Sequence, residues 1–178
     1  MKTAMQLIEE VLGWWHRYYA EAAIRSGIAS FVVALVENSV AGVSVFYRFG
    51  RIGVIYYVVV NETFRKKGIG KALVCSVEEL LEPYCRFFVA TTSYDNVDSL
   101  NLFRSLGYAV LDIETAYELM GFEVVETLVR ATCAFEDDVF MLKPLSLTEL
   151  SKEVRSHRLE ALHVWRKICY EPWLRMRL

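Results

Sequence analysis

The amino-acid sequence predicts an α/β fold in which helices flank a mixed, mostly antiparallel sheet. Apolar residues recur at three- and four-residue spacing over residues 3–25 and 69–82, a pattern typical of amphipathic helices. Short runs rich in valine, phenylalanine and tyrosine, separated by turn residues, indicate strands. A strand–loop–helix–strand unit over residues 54–92 makes two of these strands parallel, with a right-handed crossover.

The first third of the chain is expected to form one helix and three strands. The helix covers residues 3–25 and ends at Gly27, where the apolar spacing stops. Strands follow over residues 31–37, 40–49 and 54–60. The last of these runs is almost continuously apolar, which is typical of a strand buried on both faces.

The middle of the chain is expected to alternate helices with a strand. A helix over residues 69–82 is stopped by Pro83, and a strand follows over residues 86–92. A second helix is expected over residues 98–106. The stretch 108–121 leaves two alternatives open, because its apolar residues keep helical spacing while its first six residues also fit a strand.

The last part of the chain is expected to form a hairpin and a helix. Residues 122–131 and 138–143 are rich in β-branched and aromatic side chains, which favours a terminal pair of strands. A helix follows Pro144, where Ser146 and Glu149 match the spacing of a capping box.

Chain length and composition suit one domain with an appendage. At 178 residues the chain can bury a substantial core, and its 54% hydrophobic content places it outside the disordered class. We expect a domain over residues 1–145, whose first 27 residues are helical, and a C-terminal helical extension over residues 146–178. The terminal helices are the surfaces through which we expect a homodimer.

The composition argues against several classes of function. A net charge of −2 gives no reason to expect nucleic-acid binding, and no apolar run reaches the about 20 residues that span a bilayer. The four cysteines form no C-x-x-C pair and the three histidines lack ligand spacing, so no metal site is predicted. Unpaired thiols, and charged residues where a signal peptide would be apolar, predict a cytoplasmic protein.

Charge is distributed unevenly along the chain. Residues 48–71 carry six basic side chains and one acid, whereas residues 72–138 carry three basic side chains and thirteen acids. The positive segment favours an anionic ligand near the loop that it contains. The acidic segment favours a cationic acceptor, such as a protein N-terminus, a lysine or a polyamine. A solvated coat of acids on helix surfaces explains the same charges equally well.

The loop Arg65-Lys66-Lys67-Gly68-Ile69-Gly70-Lys71 joins a buried strand to a helix and is predicted to bind an anion. The first amides of a helix lack intrahelical acceptors, and the helix dipole is positive at this end. Two other phosphate-binding patterns do not fit. A Walker loop requires serine or threonine where Ala72 stands, and a dinucleotide-binding loop requires a third glycine where Leu73 stands.

The pattern Arg65-x-x-Gly68-x-Gly70 resembles the pyrophosphate-binding loop of the GNAT N-acetyltransferases. The likeness extends over roughly residues 31–145 and includes the stretch 96–108, which is similar to a helix motif of that family. The resemblance implies a sheet splayed at its central parallel pair, with acetyl-CoA as the cosubstrate. It also implies direct transfer of the acetyl group, in a ternary complex, to an amine on a small molecule or a protein.

The same resemblance implies which residues contact coenzyme A. In the family, backbone amides of a bulged strand bind pantetheine and polarise the thioester carbonyl, while loop amides grip the pyrophosphate. The residues at the matching positions are Val58, Val59, Val60, Arg65, Lys66, Lys67, Gly68, Ile69, Gly70, Lys71, Asn96 and Phe103. Val58 and Val60 are expected to contact pantetheine, and an amide near Val59 or Val60 to contact the carbonyl.

Two catalytic positions depart from the family pattern. The tyrosine that reprotonates the coenzyme thiolate in many relatives is matched by Phe103, which cannot donate a proton. Residues 116–124 repeat the end of the same motif, so Tyr117 is our candidate acid, after an insertion over residues 108–121. Packing on the neighbouring apolar stripe is the competing explanation for Tyr117. The glutamate that serves some relatives as a base has no counterpart in residues 51–55.

These departures keep a second hypothesis open. Without the tyrosine and the glutamate, the chain also fits a module that binds acyl-CoA or a partner protein without turnover. The aromatic cluster over residues 14–19 leaves a similar choice, because it suits an acceptor pocket, an interface or simple core packing.

Overall fold

The computed structural model describes residues 3–177, so Met1, Lys2 and Leu178 of the expected domain and extension lie outside the described residues. Helices and strands alternate through most of this range. In chain order they are α1 (Ala4–Leu12), α2 (Trp14–Arg25), β1 (Ser30–Val36), β2 (Ser39–Phe49), β3 (Ile52–Val60), a 3-10 turn (Glu62–Phe64), α3 (Ile69–Leu81), β4 (Phe87–Thr92), α4 (Val97–Ser105), β5 (Ala109–Asp112), α5 (Ile113–Met120), α6 (Phe122–Thr132), β6 (Val139–Lys143), α7 (Leu147–Ser156), α8 (Arg158–Trp165), a π-helical turn (Arg166–Tyr170) and α9 (Glu171–Met176).

The six strands form one sheet in the order β1-β2-β3-β4-β6-β5. Neighbouring strands are antiparallel except for β3 and β4, which are parallel and are connected through α3. The expected mixed, mostly antiparallel sheet with a central parallel pair is therefore confirmed.

Helices cover both faces of the sheet. On one face, α1, α2 and α6 to α8 pack on buried residues such as Phe49 and Ile52. On the other face, α3 and α4 pack on Phe46 and Ile55. Because both faces are covered, β3 reads as an uninterrupted apolar run in the sequence.

The predicted terminal hairpin is wrong in one of its two strands. β6 pairs with β5, and residues 122–132 form α6 instead of a strand. Val125 and Leu128 of α6 are fully buried, while Glu126 and Arg130 form an ion pair of 3.3 Å beside them. Two helices, α5 and α6, are thus inserted between the last two strands, and the expected insertion over residues 108–121 was placed too early.

The N-terminal helix and the final helix also differ from expectation. Gly13 separates α1 from α2 with a φ of 100°, a conformation that favours glycine. A capping box forms at Thr3 and Gln6, whose backbone and side-chain groups bond reciprocally at 2.7 and 3.2 Å. Ser146 makes no side-chain capping bond, so the capping box expected at Ser146 and Glu149 is absent.

Candidate active site

β3 and β4 separate at the centre of the sheet. Their parallel pairing stops at Val54 and Val89, although β3 runs on to Val60 and β4 to Thr92. On its other edge β4 stays paired with β6 to its end. A gap therefore opens between β3 and β4, and the backbone groups of β3 that face it are not used by the sheet.

β3 carries a bulge beside this gap. Its register against β2 shifts between the pair Val45–Tyr57 and the pair Phe46–Ile55, which leaves Tyr56 without a partner on β2. A bulge bends its strand and increases the local twist. The bulge therefore helps to carry the end of β3 away from β4.

The hydrogen-bond pattern shows which amides of β3 face the gap. The amide of Asn61 donates to the carbonyl of Ala41 at 2.9 Å and so points toward β2. Because backbone groups alternate between the two edges of a strand, Val58 and Val60 direct their amides into the gap and Val59 directs its amide toward β2. Of the three expected valines, Val59 therefore does not offer its amide to a ligand in the gap.

α3 begins at the basic loop without a capping side chain. Gly68 precedes the helix with a φ of 80°, and its carbonyl accepts the first helical hydrogen bond from Ala72 at 3.0 Å. The amides of Ile69, Gly70 and Lys71 precede that bond. Since no side chain caps them, they remain available to an anion.

The two glycines of this loop have different roles. A Cβ on Gly70 would lie 3.3 Å from Leu102 Cδ2 and 3.6 Å from Val60 Cγ2, so α3 approaches α4 and the end of β3 closely. At Gly68 nothing lies within 4 Å of the corresponding position. Gly68 thus leaves open space in front of the helix, whereas Gly70 permits close packing.

The basic side chains of the loop have acidic neighbours. Lys66 Nζ donates to Asp98 Oδ1 at 2.5 Å, and this bond lowers the pKa of Asp98. Arg65 lies 3.7 Å from Glu62. Both pairs are exposed, and exposed ion pairs contribute little to stability, so a phosphate can replace the carboxylates.

α4 places the other two expected coenzyme contacts beside the gap. Asn96 accepts from the amide of Ser99 at 3.2 Å and donates to Thr92 Oγ1 at 3.0 Å, which fixes the start of α4 to the end of β4. Phe103 is buried and packs edge-on against Tyr108, with 4.9 Å between ring centres. The position of the family's tyrosine therefore holds no hydroxyl.

Tyr117 lies elsewhere, on α5. Its hydroxyl donates to Glu126 at 2.7 Å, its ring stacks on Phe122 at 5.8 Å, and the Glu126 carboxylate raises the pKa of Tyr117 to about 12. Tyr117 does not belong to the residues that line the cavity at the gap. The structure therefore favours the packing explanation of Tyr117 over the catalytic one.

A cavity of about 800 Å³ extends from the gap toward the ends of the chain. Val58, Asn96 and Phe103 line it on the side of the gap. Six aromatic side chains from α2, the α6–β6 connection and the C-terminal helices line the rest, and they are Trp15, Tyr19, Phe135, Trp165, Tyr170 and Trp173. We call this part the aromatic chamber. The volume is in the range of sites that bind small molecules.

One histidine and two acids, His16, Glu136 and Asp137, are among the titratable side chains that line the cavity. Burial lowers the pKa of His16 below 6.5, against the opposing effect of Asp137 and Glu136. Burial raises the pKa of Asp137, against a hydrogen bond with Thr91. The His16 ring stands edge-on to Tyr57, with 5.6 Å between ring centres. His16 is therefore neutral at pH 7 and able to accept a proton.

Sequence reasoning missed the group of His16, Glu136 and Asp137 because about 120 residues separate His16 from the two acids. In the sequence, His16 belongs to the aromatic cluster over residues 14–19 and has no partner at metal-ligand spacing, and neither feature predicts a base. The run Glu136-Asp137-Asp138, placed directly before the last strand and after Phe135, is the one signal in the sequence that pointed to it.

Within residues 3–177, no set of His, Cys, Asp or Glu side chains is arranged to hold a metal ion. No helix in that range is long and apolar enough to cross a bilayer.

Comparison with known sequences identifies a family and one relative. The sequence profile of the Acetyltransferase (GNAT) family matches residues 4–108, more than half of the chain. N-alpha-acetyltransferase 30 of Dictyostelium discoideum is 29% identical over 92 residues, which cover 51% of this chain and 47% of that protein. The chain thus spans about half the length of this curated relative.

Solved structures share the fold. A GNAT-family protein of Desulfovibrio desulfuricans superposes with a TM-score of 0.57 and 15% identity, over 81% of this chain and 90% of that one. A Bacillus subtilis acetyltransferase in complex with CoA gives a TM-score of 0.51 and 17% identity, over 68% of this chain and 81% of that one. By the profile match over residues 4–108 and by this fold, the chain belongs to the acetyltransferase (GNAT) family, whose cosubstrate is acetyl-CoA.

Proposed function

We propose that this chain transfers the acetyl group of acetyl-CoA to a primary amine by direct attack in a ternary complex. One observation carries the proposal: an uncapped helix start lies next to the end of a strand whose unpaired amides face the gap. Val60 adjoins Gly70 of α3, and Val58 lines the cavity. Those are the two kinds of donor that a pyrophosphate and a thioester require.

Coenzyme A is expected to follow the gap. Its pyrophosphate would accept hydrogen bonds from the amides of residues 69–71, with Arg65, Lys66 and Lys67 adding positive charge. Its pantetheine arm would take the place of a strand beside Val58 and Val60. The support is that these amides face the gap and have no partner in the sheet.

The proposed reaction forms one bond and breaks one. The amine nitrogen attacks the thioester carbonyl carbon, the C–N bond forms, and the C–S bond breaks. The amide of Val58 or Val60 donates to the oxygen that becomes negative. His16 accepts the proton that the amine loses. Because a thiol has a pKa of about 8.5, the thiolate is able to leave without the acid that Phe103 does not provide.

Calorimetry with coenzyme A and a thiol-release assay with acetyl-CoA test this proposal. The acceptors should include small amines and a peptide with a free N-terminus, because the curated relative carries the name of an N-alpha-acetyltransferase. We expect coenzyme A to bind and thiol to appear only when an amine is present. Binding without acetylation of any amine would contradict the proposal and favour a module without turnover.

A further inference from the structure

The aromatic chamber is built largely by segments beyond the family match. The match ends at residue 108, whereas four of the six aromatic side chains, Phe135, Trp165, Tyr170 and Trp173, come from later in the chain. The chemistry of the chamber therefore belongs to this chain and does not follow from its family.

The wall of the chamber is an ordered set of rings. Tyr170 stacks between Trp165 and Trp173, with centroid distances of 5.1 and 6.1 Å and interplanar angles of 27° and 24°. The π-helical turn carries Tyr170, and the hydroxyl of Tyr18 donates to the carbonyl of Pro172 at 3.1 Å, which holds this segment against α2. Phe135, which also lines the cavity, is 58% exposed. Apolar surface is thus left for a ligand to cover.

The chamber is also negatively charged. Glu136 and Asp137 line it, and among residues 3–177 no lysine or arginine does so. The ion pairs found in this part of the chain do not include either carboxylate. His16 faces them and is neutral at pH 7. Glu136 is exposed and Asp137 half-buried, so both carboxylates are accessible to a cationic ligand in the chamber.

From this combination we propose that the acceptor is a small primary amine that is cationic in solution and carries an aromatic or bulky apolar body. The inference rests on the proposed function, because it names the acceptor of the same reaction. Arg130 and Arg177 already lie over the Trp165 and Trp173 rings, at 5.8 and 4.3 Å. The ammonium group is therefore expected over Phe135, which is 58% exposed, because an aromatic face attracts a cation and nearby carboxylates strengthen that attraction. α2, the α6–β6 connection and the C-terminal helices all contribute walls, and this favours a small molecule over a polypeptide.

The chemistry of the step follows from these groups. The ammonium form binds between Phe135 and the carboxylates, and it loses one proton to His16 before it reacts. The free amine then forms a C–N bond with the acetyl carbon while the C–S bond breaks. His16 passes the first proton to solvent and accepts the second proton, which the nitrogen loses as the C–N bond forms. The products are the neutral amide, the coenzyme thiolate and two protons released to solvent.

A panel of acceptors tests the proposal with the complete chain. The panel contains 2-phenylethylamine, ethylamine, aniline and a decapeptide with a free N-terminus, each assayed with acetyl-CoA. We expect kcat/KM for 2-phenylethylamine to exceed that of each other acceptor by at least about tenfold, a difference of about 1.4 kcal/mol. Preference for the decapeptide or for the uncharged aniline would overturn the proposal.

Matched variants assign the effect to the carboxylates. Glu136→Gln and Asp137→Asn should each raise KM for 2-phenylethylamine at least about fivefold, a change of about 1 kcal/mol. The affinity for coenzyme A should stay unchanged. Glu118→Gln removes an exposed acid of α5 that does not line the cavity, so it should change neither value. Equal KM values in all three variants would contradict a role of the charge.

Direct binding separates this inference from the proposed function. Calorimetry should show that 2-phenylethylamine binds the coenzyme-loaded protein at least about tenfold more tightly than 2-phenylethanol, its uncharged analogue. If coenzyme A binds but acetyl transfer goes only to peptides, the inference fails and the function stands. If no acetyl transfer occurs but the amine is still preferred over the alcohol, the function fails and the binding site stands.

Discussion

The proton acceptor is the side chain on which the proposed chemistry depends most. Replacing His16 by glutamine keeps a polar group of similar size but removes the basic nitrogen. General base catalysis is typically worth about 10²–10⁴-fold, so we expect kcat for amine acetylation to fall by at least about a hundredfold, with coenzyme A affinity unchanged. Steady-state kinetics and calorimetry would measure the two effects.

A role of His16 as the base predicts a pH dependence of the reaction rate that a packing role would not produce. Burial lowers its pKa below 6.5, so the neutral form that accepts a proton is lost only when pH falls through that lower value. The ratio of wild-type to His16→Gln rates should therefore decrease as pH falls through the lowered pKa and should be constant well above it. His163→Gln, on the exposed side of α8, is the matched control and should behave as wild type. A ratio independent of pH would exclude His16 as the base.

For Tyr117 we expect a substitution to lower the stability of the protein and to leave kcat nearly unchanged. Tyr117→Phe removes the hydrogen bond to Glu126, so the free energy of unfolding should fall by about 1 kcal/mol. Since the hydroxyl lies outside the cavity, kcat should stay within about twofold, well below the effect of losing a general acid. Tyr84→Phe, at an exposed position, controls for the substitution itself. A large loss of kcat in Tyr117→Phe alone would restore it as a catalytic residue.

At the level of elements, the start of α3 is the most direct test of coenzyme binding. Gly68→Asp with Gly70→Asp would place two carboxylates at the amides that are expected to hold the pyrophosphate. Like-charge repulsion should weaken coenzyme A binding by at least about a hundredfold in calorimetry, and high salt should reduce the effect.

The control for this loop comes from another glycine. Gly27 has a φ of 76°, close to that of Gly68, and nothing lies within 4 Å of its Cβ position. Gly27→Asp therefore matches the conformational cost of Gly68→Asp at a site away from the gap, and Gly70→Ala adds the methyl group that contacts Leu102 without a charge. Equal losses of affinity in the double variant and in these controls would mean that the loop is not the binding site.

The elements also show where sequence reasoning succeeds. β3 and α3 were predicted within a few residues because a doubly buried strand and an amphipathic helix leave different periodicities. The glycine-containing loop between them carries most of the information about coenzyme binding. These features are local, so they can be read from neighbouring residues.

α6 shows where such reasoning fails. Its valines favoured a strand by composition, yet Val124, Val125, Leu128 and Val129 follow the spacing of a helix face, and all four are buried. The packing of this helix on the sheet outweighs the modest β preference of valine. The same error shifted the expected insertion, and the role of Tyr117 as the acid stays a prediction. The aromatic chamber, in turn, depends on contacts between distant segments that no local pattern predicts.

For the whole molecule, the C-terminal helices are part of the same core as the sheet. Leu150, Val154, Val164 and Ile168 are at most 3% exposed and pack in the cluster that contains Phe49. Burial of four such side chains contributes about 6–12 kcal/mol, comparable with the total stability of about 5–15 kcal/mol of a typical protein. We therefore propose that residues 1–145 and 146–178 fold as one unit.

Truncation after Leu145 tests this proposal. The shortened chain should lose its cooperative thermal transition in circular dichroism and should fail to bind coenzyme A. A shortened protein that melts cooperatively would show that the extension is separable. The expected homodimer remains a prediction, and Trp173, in one of the terminal helices expected to form it, lines the cavity of its own chain.

The gap between β3 and β4 leaves the two halves of the sheet joined over a short stretch. Its two halves, β1 to β3 and β4 to β6, share only three paired positions. The amides of Val58 and Val60 should therefore exchange their hydrogens rapidly with solvent in the free protein, whereas the amide of Val59, bonded toward β2, should be protected. Bound coenzyme A should slow exchange at Val58 and Val60 and join the two halves into one cooperative unit. Coenzyme A is therefore expected to supply the hydrogen-bond partners that the sheet lacks at Val58 and Val60.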